Sequence, residues 1–224
     1  MLPRDGAGIG RERGRMDFQV AEIFKSIEGE GKRAGTPCTF VRLSGCNLAC
    51  SYCDTAWAQS PKCGALMPLE GVVSSVRDLG ASCVTITGGE PLLQDVMAIA
   101  EALPECECNI ETNGSIPLLG KPRNTFYTMD WKSPSSWMAD AMLEENLGWL
   151  DSDDVLKFVV GSRADLDQMR DVLAIGTEAQ VFVSPVFGKI EPREIVGYIL
   201  DNDVTARVQL QLHKLMWDPE ARGV

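Results

Sequence analysis

Residues 39–55 read TFVRLSGCNLACSYCDT, and this stretch decides the fold. Its first five residues are the β-branched and apolar types that suit a strand. Gly45 then permits a tight backbone turn, and Cys46, Cys50 and Cys53 follow at C-x3-C-x2-C spacing. Three thiols so close in sequence converge on one inorganic centre only if the loop between them wraps around it. Outward from this strand and loop, the chain alternates short β-branched runs with amphipathic stretches. Strands are predicted at 39–43, 83–87, 108–112, 126–131, 155–160, 180–184 and 207–212, and helices at 69–79, 91–102, 137–147, 163–174 and 191–201. Pro91 and Pro192 sit at first-turn positions, and Leu166, Met169, Val172 and Leu173 share one helical face. The expectation is an α/β fold: a partial, open βα barrel with a mainly parallel sheet of six to seven strands, short of the eight that close a barrel. Ligands in such sheets gather at the carboxyl ends of the strands, so the loops that follow strands should meet in space.

The 224 residues fit one domain, with 45% hydrophobic and 24% charged residues, enough to bury a core. Net charge is −11, from 21 Lys plus Arg against 32 Asp plus Glu. That sign disfavours non-specific nucleic-acid binding and docking on an anionic membrane, and no apolar run is long enough for a bilayer span. The first fifteen residues, Gly- and Arg-rich, read as a disordered N-terminal extension ahead of a single domain over 16–224, with Met16 the expected native start. They lack the apolar core of a signal peptide. Eight cysteines in a chain of this size fit a reducing, cytoplasmic setting better than a disulfide framework.

A single histidine, His213, removes multi-His metal sites and any His pair as acid and base. For the cysteine loop three readings stand. Structural zinc wants four ligands, usually as two C-x2-C pairs, and no second such pair or His is placed to complete the set, although Cys63, Cys83 or the Cys106/Cys108 pair could supply a fourth thiolate at unremarkable spacing. An iron–sulfur cluster takes a cysteine at each iron, so three cysteines on a 4Fe-4S cluster leave one iron open to a small molecule. Three buried cysteines without chemistry are the plain alternative. Cys38, Cys83, Cys106 and Cys108 sit in or beside apolar strands as small core residues. Cys63 lies in the loop beyond the triplet. His213 reads as a structural hydrogen-bonding group, and Trp57 and Trp131 as packing groups or pocket walls.

The triplet with Tyr52 before its last cysteine, and Thr87-Gly88-Gly89-Glu90-Pro91 ending the second predicted strand, resemble the radical S-adenosylmethionine (SAM) superfamily. Within it the chain is similar to the 7-carboxy-7-deazaguanine synthase family. The segments that carry this run from Ser26 to Gly31, from Phe40 to Cys46, from Cys53 to Thr55 and from Gln211 to Lys214, with Trp217 and the closing Arg222, Gly223 and Val224. The resemblance implies conversion of 6-carboxy-5,6,7,8-tetrahydropterin to 7-carboxy-7-deazaguanine with loss of ammonia. The implied cofactors are a 4Fe-4S cluster on Cys46, Cys50 and Cys53, SAM, and Mg²⁺ with Thr55 as an oxygen ligand.

The resemblance also assigns contacts. SAM falls to Tyr52, Cys53, Asp54, Gly89, Ser133, Pro134, Ser135, Ser184, Pro185 and Val186. The pterin falls to Ile27, Glu28, Gly29, Arg42, Thr87 and Val224. A guanidinium such as that of Arg42 suits a two-point grip on a carboxylate, and Gly29 allows close backbone approach. A flavodoxin-type reductant and a homodimer are implied as well, for queuosine or another deazapurine product. Two other readings compete. A small radical activase that makes a glycyl radical on a partner protein would share the triplet but need neither a pterin site nor Mg²⁺. A non-catalytic electron carrier would have no use for an open iron or for the Gly-Gly-Glu-Pro turn.

Overall fold

The computed structural model describes residues 16–80, 82–218 and 221–224, so the expected extension over 1–15 lies outside the described residues. Nine strands form one open sheet. In chain order they are β1 (Asp17–Ile27), β2 (Pro37–Leu43), β3 (Ala65–Pro68), β4 (Cys83–Gly88), β5 (Glu107–Thr112), β6 (Thr125–Trp131), β7 (Val155–Val160), β8 (Gln180–Pro185) and β9 (Arg207–Val208). Their spatial order is β3-β1-β2-β4-β5-β6-β7-β8-β9. From β2 to β9 every neighbouring pair is parallel, and these are the strands the sequence predicts. The two further strands are antiparallel additions at one edge: β1 pairs with both β2 and β3.

The helices are α1 (Leu69–Leu79), α2 (Val96–Glu101), α3 (Arg163–Ile175), α4 (Pro192–Asp201) and α5 (Leu212–Met216). Gly80, in the left-handed region at φ 65°, ends α1. Ser162 and Asp165 close a reciprocal capping box at the start of α3. The helix predicted over 137–147 is instead a run of 3-10 turns, at Ala139–Ala141 and Glu144–Gly148. The buried Asn146 decides this: its amide donates to the carbonyls of Gly114 and Ile116 and accepts from Leu118 N, tying the segment to a neighbouring loop. The helix expected over 91–102 splits into a 3-10 turn, Pro91–Leu93, and α2. The strand expected over 207–212 stops at Val208, because Gln209 and Gln211 turn their amides onto the 30–31 loop and Leu212 opens α5.

Strand alternation sorts side chains onto two faces. On the helix-covered face, Val41, Leu43, Val84, Ile86, Ile110, Met129, Phe158 and Val183 pack with Val72, Val76, Ile99, Leu166, Met169 and Ile195 in one core. The intervening residues, Arg42, Thr87, Glu111, Asp130 and Lys157 among them, face the concave interior. All of β7, VLKFVV, is buried, as expected for a parallel strand covered on both sides.

Candidate active site

A cavity of about 310 Å³ opens at the carboxyl ends of the parallel strands, and Cys46, Cys50 and Cys53 all line it. The loop that carries them is welded to the turn after β4. Gly89 N donates to Leu43 O at 3.0 Å and Glu90 N to Gly45 O at 2.8 Å. Only glycines allow this approach: a Cβ on Gly88 would lie 2.0 Å from Leu43 O, and one on Gly89 would lie 1.9 Å from Gly45 O. Gly45 itself turns at φ 96° and Gly88 at φ 127°. Beneath them the buried Glu90 carboxylate accepts from Leu92 N (2.9 Å), the Thr112 hydroxyl (2.9 Å) and Asn113 N (2.6 Å), joining the ends of β4 and β5. Burial pushes its carboxyl pKa up against those bonds.

Cys46, Cys50 and Cys53 are the three cysteines in the described lining of the cavity, a donor set that a 4Fe-4S cluster with one open iron would fit. Among the described residues no three His, Cys, Asp or Glu side chains gather as ligands for a single metal ion, and all eight cysteines are free of disulfides. Burial raises the pKa of Cys46 and Cys50, with the neighbouring thiols and Glu90 or Asp130 adding to it. Sulfur anions in that setting need a bound cation, which the irons of a cluster would supply.

Charge fills the rest of the concave wall. Arg42 Nε lies 2.7 Å from Glu22 Oε1, beside the stacked rings of Phe24 and Phe40. Thr87 Oγ1 donates to Glu111 Oε2 at 2.8 Å. Lys157 Nζ stands 3.0 Å from Glu30 Oε2 and 3.5 Å from Asp130 Oδ2, and Lys132 Nζ is 3.2 Å from that same Asp130 oxygen. Desolvation pulls the Lys157 pKa down, but Glu30, Asp130 and Glu111 outweigh it and hold the ammonium well above its ordinary pKa. Glu28 is opposite in character. Burial first, then the Glu111 charge, push its carboxyl up to about 7, although Thr85 and Arg33 bond to it.

The C-terminal segment forms the last wall. Leu212 N donates to Gly29 O at 3.1 Å, and the Gln209 amide bridges Gly31 N and O at 2.7 and 3.1 Å. The His213 ring lies so close over Gly29 that a Cβ there would fall 2.6 Å from Nδ1. Burial lowers the pKa of His213, while Glu30 and Asp54 oppose the shift. Arg222 lies 4.4 Å over the Trp57 ring at the rim.

Most of the residues singled out from sequence meet here. Ile27, Glu28, Gly29, Arg42, Tyr52, Asp54, Thr55, Thr87, Gly89, Val186 and Val224 line the cavity together with the cysteines. An adjoining cavity of about 360 Å³ shares Tyr52 and Val186 and adds Ser51, Ser135, Trp137, Gly161 and Lys189. Ser133, Pro134, Ser184 and Pro185 line neither cavity. Ser133 and Ser184 are fully buried behind the wall, their hydroxyls without a protein partner. The sequence reading missed Glu22, Glu111, Asp130, Lys132 and Lys157. A signal existed: a lone charge among strand-forming residues, as in VLKFVV, marks a side chain turned from the core toward a functional interior.

A model of the radical SAM superfamily matches residues 40–134, the span that carries the cysteine loop, the Gly88-Gly89-Glu90 turn and β6. The cysteine loop at the mouth of an open parallel barrel, together with this match, defines the class: a radical SAM enzyme, whose chemistry requires a 4Fe-4S cluster and SAM. The chain is 41% identical to 7-carboxy-7-deazaguanine synthase of Clostridium acetobutylicum over 93% of its own length and 100% of that protein. It is 37% identical to the enzyme of that name from Chlorobaculum tepidum, over 92% and 97% of the two chains. The crystal structure of QueE from Escherichia coli shares the fold, with a TM-score of 0.74 at 22% identity over 88% of this chain and 95% of that one. The chain belongs to the 7-carboxy-7-deazaguanine synthase family.

Proposed function

We propose that this chain converts 6-carboxy-5,6,7,8-tetrahydropterin to 7-carboxy-7-deazaguanine with release of ammonia, in queuosine or a related deazapurine pathway. The observation that carries the reading is the convergence of three thiols and a dense set of opposite charges on one cavity, in a chain so close to synthases of that name. When bound, the cluster and SAM would supply the one-electron radical chemistry needed to remove a hydrogen atom from the pterin.

The protein's part is grip, orientation and exclusion of water. Cys46, Cys50 and Cys53 would hold the cluster. The Gly89 backbone and the adjoining cavity of Tyr52, Ser135 and Val186 would receive the methionyl and nucleoside ends of SAM, with Asp54 at the border. Ser133, Ser184 and Pro185 then support that wall from behind, while the exposed Pro134 opens the 3-10 turn that carries Ser135. Arg42, held by Glu22, is the cation for the substrate carboxylate. The Ile27–Gly29 loop, Thr87 and the terminal Val224 bound the pterin. Glu28, poised near neutrality, is the group suited to hold a proton for the departing nitrogen. The C-terminal segment closes the cavity over these groups. Thr55, whose Oγ1 lies 3.8 Å from Cys53 Sγ, is the protein oxygen for Mg²⁺. A flavodoxin-type donor, a homodimer and a cytoplasmic setting complete the reading; among the described residues no helix is long and apolar enough to cross a membrane.

Anaerobic turnover of the reconstituted, reduced protein with the tetrahydropterin and SAM tests the assignment. A deazapurine chromophore, ammonia in equal amount and undiminished SAM are expected. SAM cleavage without chromophore or ammonia rejects the substrate. Loss of the Mg²⁺ response in Thr55→Ala is expected, and an unchanged response removes Thr55 as the ligand.

A further inference from the structure

We infer that Asn113 is a positioning residue for the cysteine loop, donating an amide N–H to the Cys46 sulfur and so raising the reduction potential of a cluster held there. This rests on the cluster reading of Cys46, Cys50 and Cys53 and is independent of the substrate's identity.

Asn113 follows β5 directly and is buried. Its backbone N–H is fixed by the Glu90 carboxylate at 2.6 Å. Its side-chain oxygen accepts from Ser115 N at 3.0 Å and from Ser115 Oγ at 2.6 Å. A backbone N–H can only donate, so the amide oxygen must face Ser115 and the NH₂ group must point the other way. There it meets Asn47 Oδ1 at 3.1 Å and Cys46 Sγ at 3.8 Å. Asn47 Nδ2 returns to Ser115 Oγ at 2.7 Å, closing a ring of three side chains. The same sulfur receives Leu48 N at 3.4 Å. Two N–H dipoles therefore converge on one of the three sulfurs, while Cys53 has the Thr55 hydroxyl as its neighbour.

The physical consequence has a definite sign. One-electron reduction adds negative charge to a cluster and its thiolates, and donors aimed at a sulfur stabilise that charge. The Asn113 donor costs no reorganisation, because Glu90 and Ser115 already hold it in place.

The test uses Asn113→Asp, which keeps an acceptor for Ser115 and replaces the donor with a negative oxygen, and Asn113→Leu, which removes both. In cluster-loaded protein without SAM, a redox titration followed by electron paramagnetic resonance should shift to lower potential in Asn113→Asp. The expected size is about tenfold in the reduced-to-oxidised ratio at fixed potential, or about 59 mV for one electron. Asn113→Leu should shift the same way by less. In the metal-free protein, iodoacetamide should alkylate Cys46 several-fold more slowly in Asn113→Asp, with Cys50 of the same chain as internal reference. Folded variants with wild-type potential and an unchanged Cys46-to-Cys50 ratio would overturn the proposal. If Asn113→Asp does not fold, Ser115→Ala frees the amide while leaving Asn113 in place, and the same two readouts must move in the same direction. Neither readout involves pterin turnover, so a failed substrate assignment leaves both standing.

Discussion

Gly89 shows how much the site depends on one missing methyl group. A Cβ there would overlap the Gly45 carbonyl, and both atoms belong to backbone that is already hydrogen-bonded in place. Gly89→Ala is expected to destabilise the fold by about 3 kcal/mol, toward the upper end for overpacking, read as a lowered denaturant midpoint. Cys50→Ala should instead leave the fold intact and reduce the iron bound on anaerobic reconstitution from about four per chain to near none. Residues of these kinds were legible in the sequence because their signal is local: three cysteines on one loop, two glycines before Glu90. Lys157 and Asp130 were harder to see, since they touch each other only once β6 and β7 lie side by side with Asp130 opposite Lys157.

At the scale of elements, legibility followed the same rule. α1, α3 and α4 carry their own start and stop signals and lie within a residue of their predicted bounds. β1 went unread because a register shift between Val20 and Glu22 breaks its alternation, and because its concave side bears Glu22 and Phe24 as cavity wall. The segment 137–147 has apolar residues enough for a helix, yet Asn146 spends its hydrogen bonds on another loop. The start of α3 shows an element serving the site. The buried Asp165 carboxylate accepts from Gly161 N (2.6 Å), Ser162 N (3.0 Å) and Ser135 N (2.9 Å), so the helix cap also fixes two sides of the adjoining cavity. Asp165→Ala leaves three part-buried N–H groups without their carboxylate partner. A stability loss of about 2–4 kcal/mol is expected, together with weaker SAM binding by calorimetry, while the pterin KM is little changed.

For the whole molecule, pH acts on stability most directly through Glu28. Its pKa is raised from an ordinary 4.5 to about 7 in the folded chain, mainly by burial. The folded state therefore holds a proton that the unfolded chain releases. The stability tied to that proton is complete below about pH 4.5 and is lost as pH rises through about 7. Glu28→Gln removes this dependence. The unfolding free energy of the native chain relative to this variant should fall between pH 5 and 8 by on the order of a few kcal/mol. A constant difference across that range would show that Glu28 is ionised throughout.

One wall of the cavity joins two distant parts of the chain, the Glu28–Gly31 loop as its first rim and Gln209–His213 as the second rim bonded against it. A ribosome adding about 5–20 residues each second delivers the thiols roughly ten to thirty seconds before that second rim. Until that tail arrives, a nascent polypeptide cannot complete the wall it shares with Gly29 and Gly31.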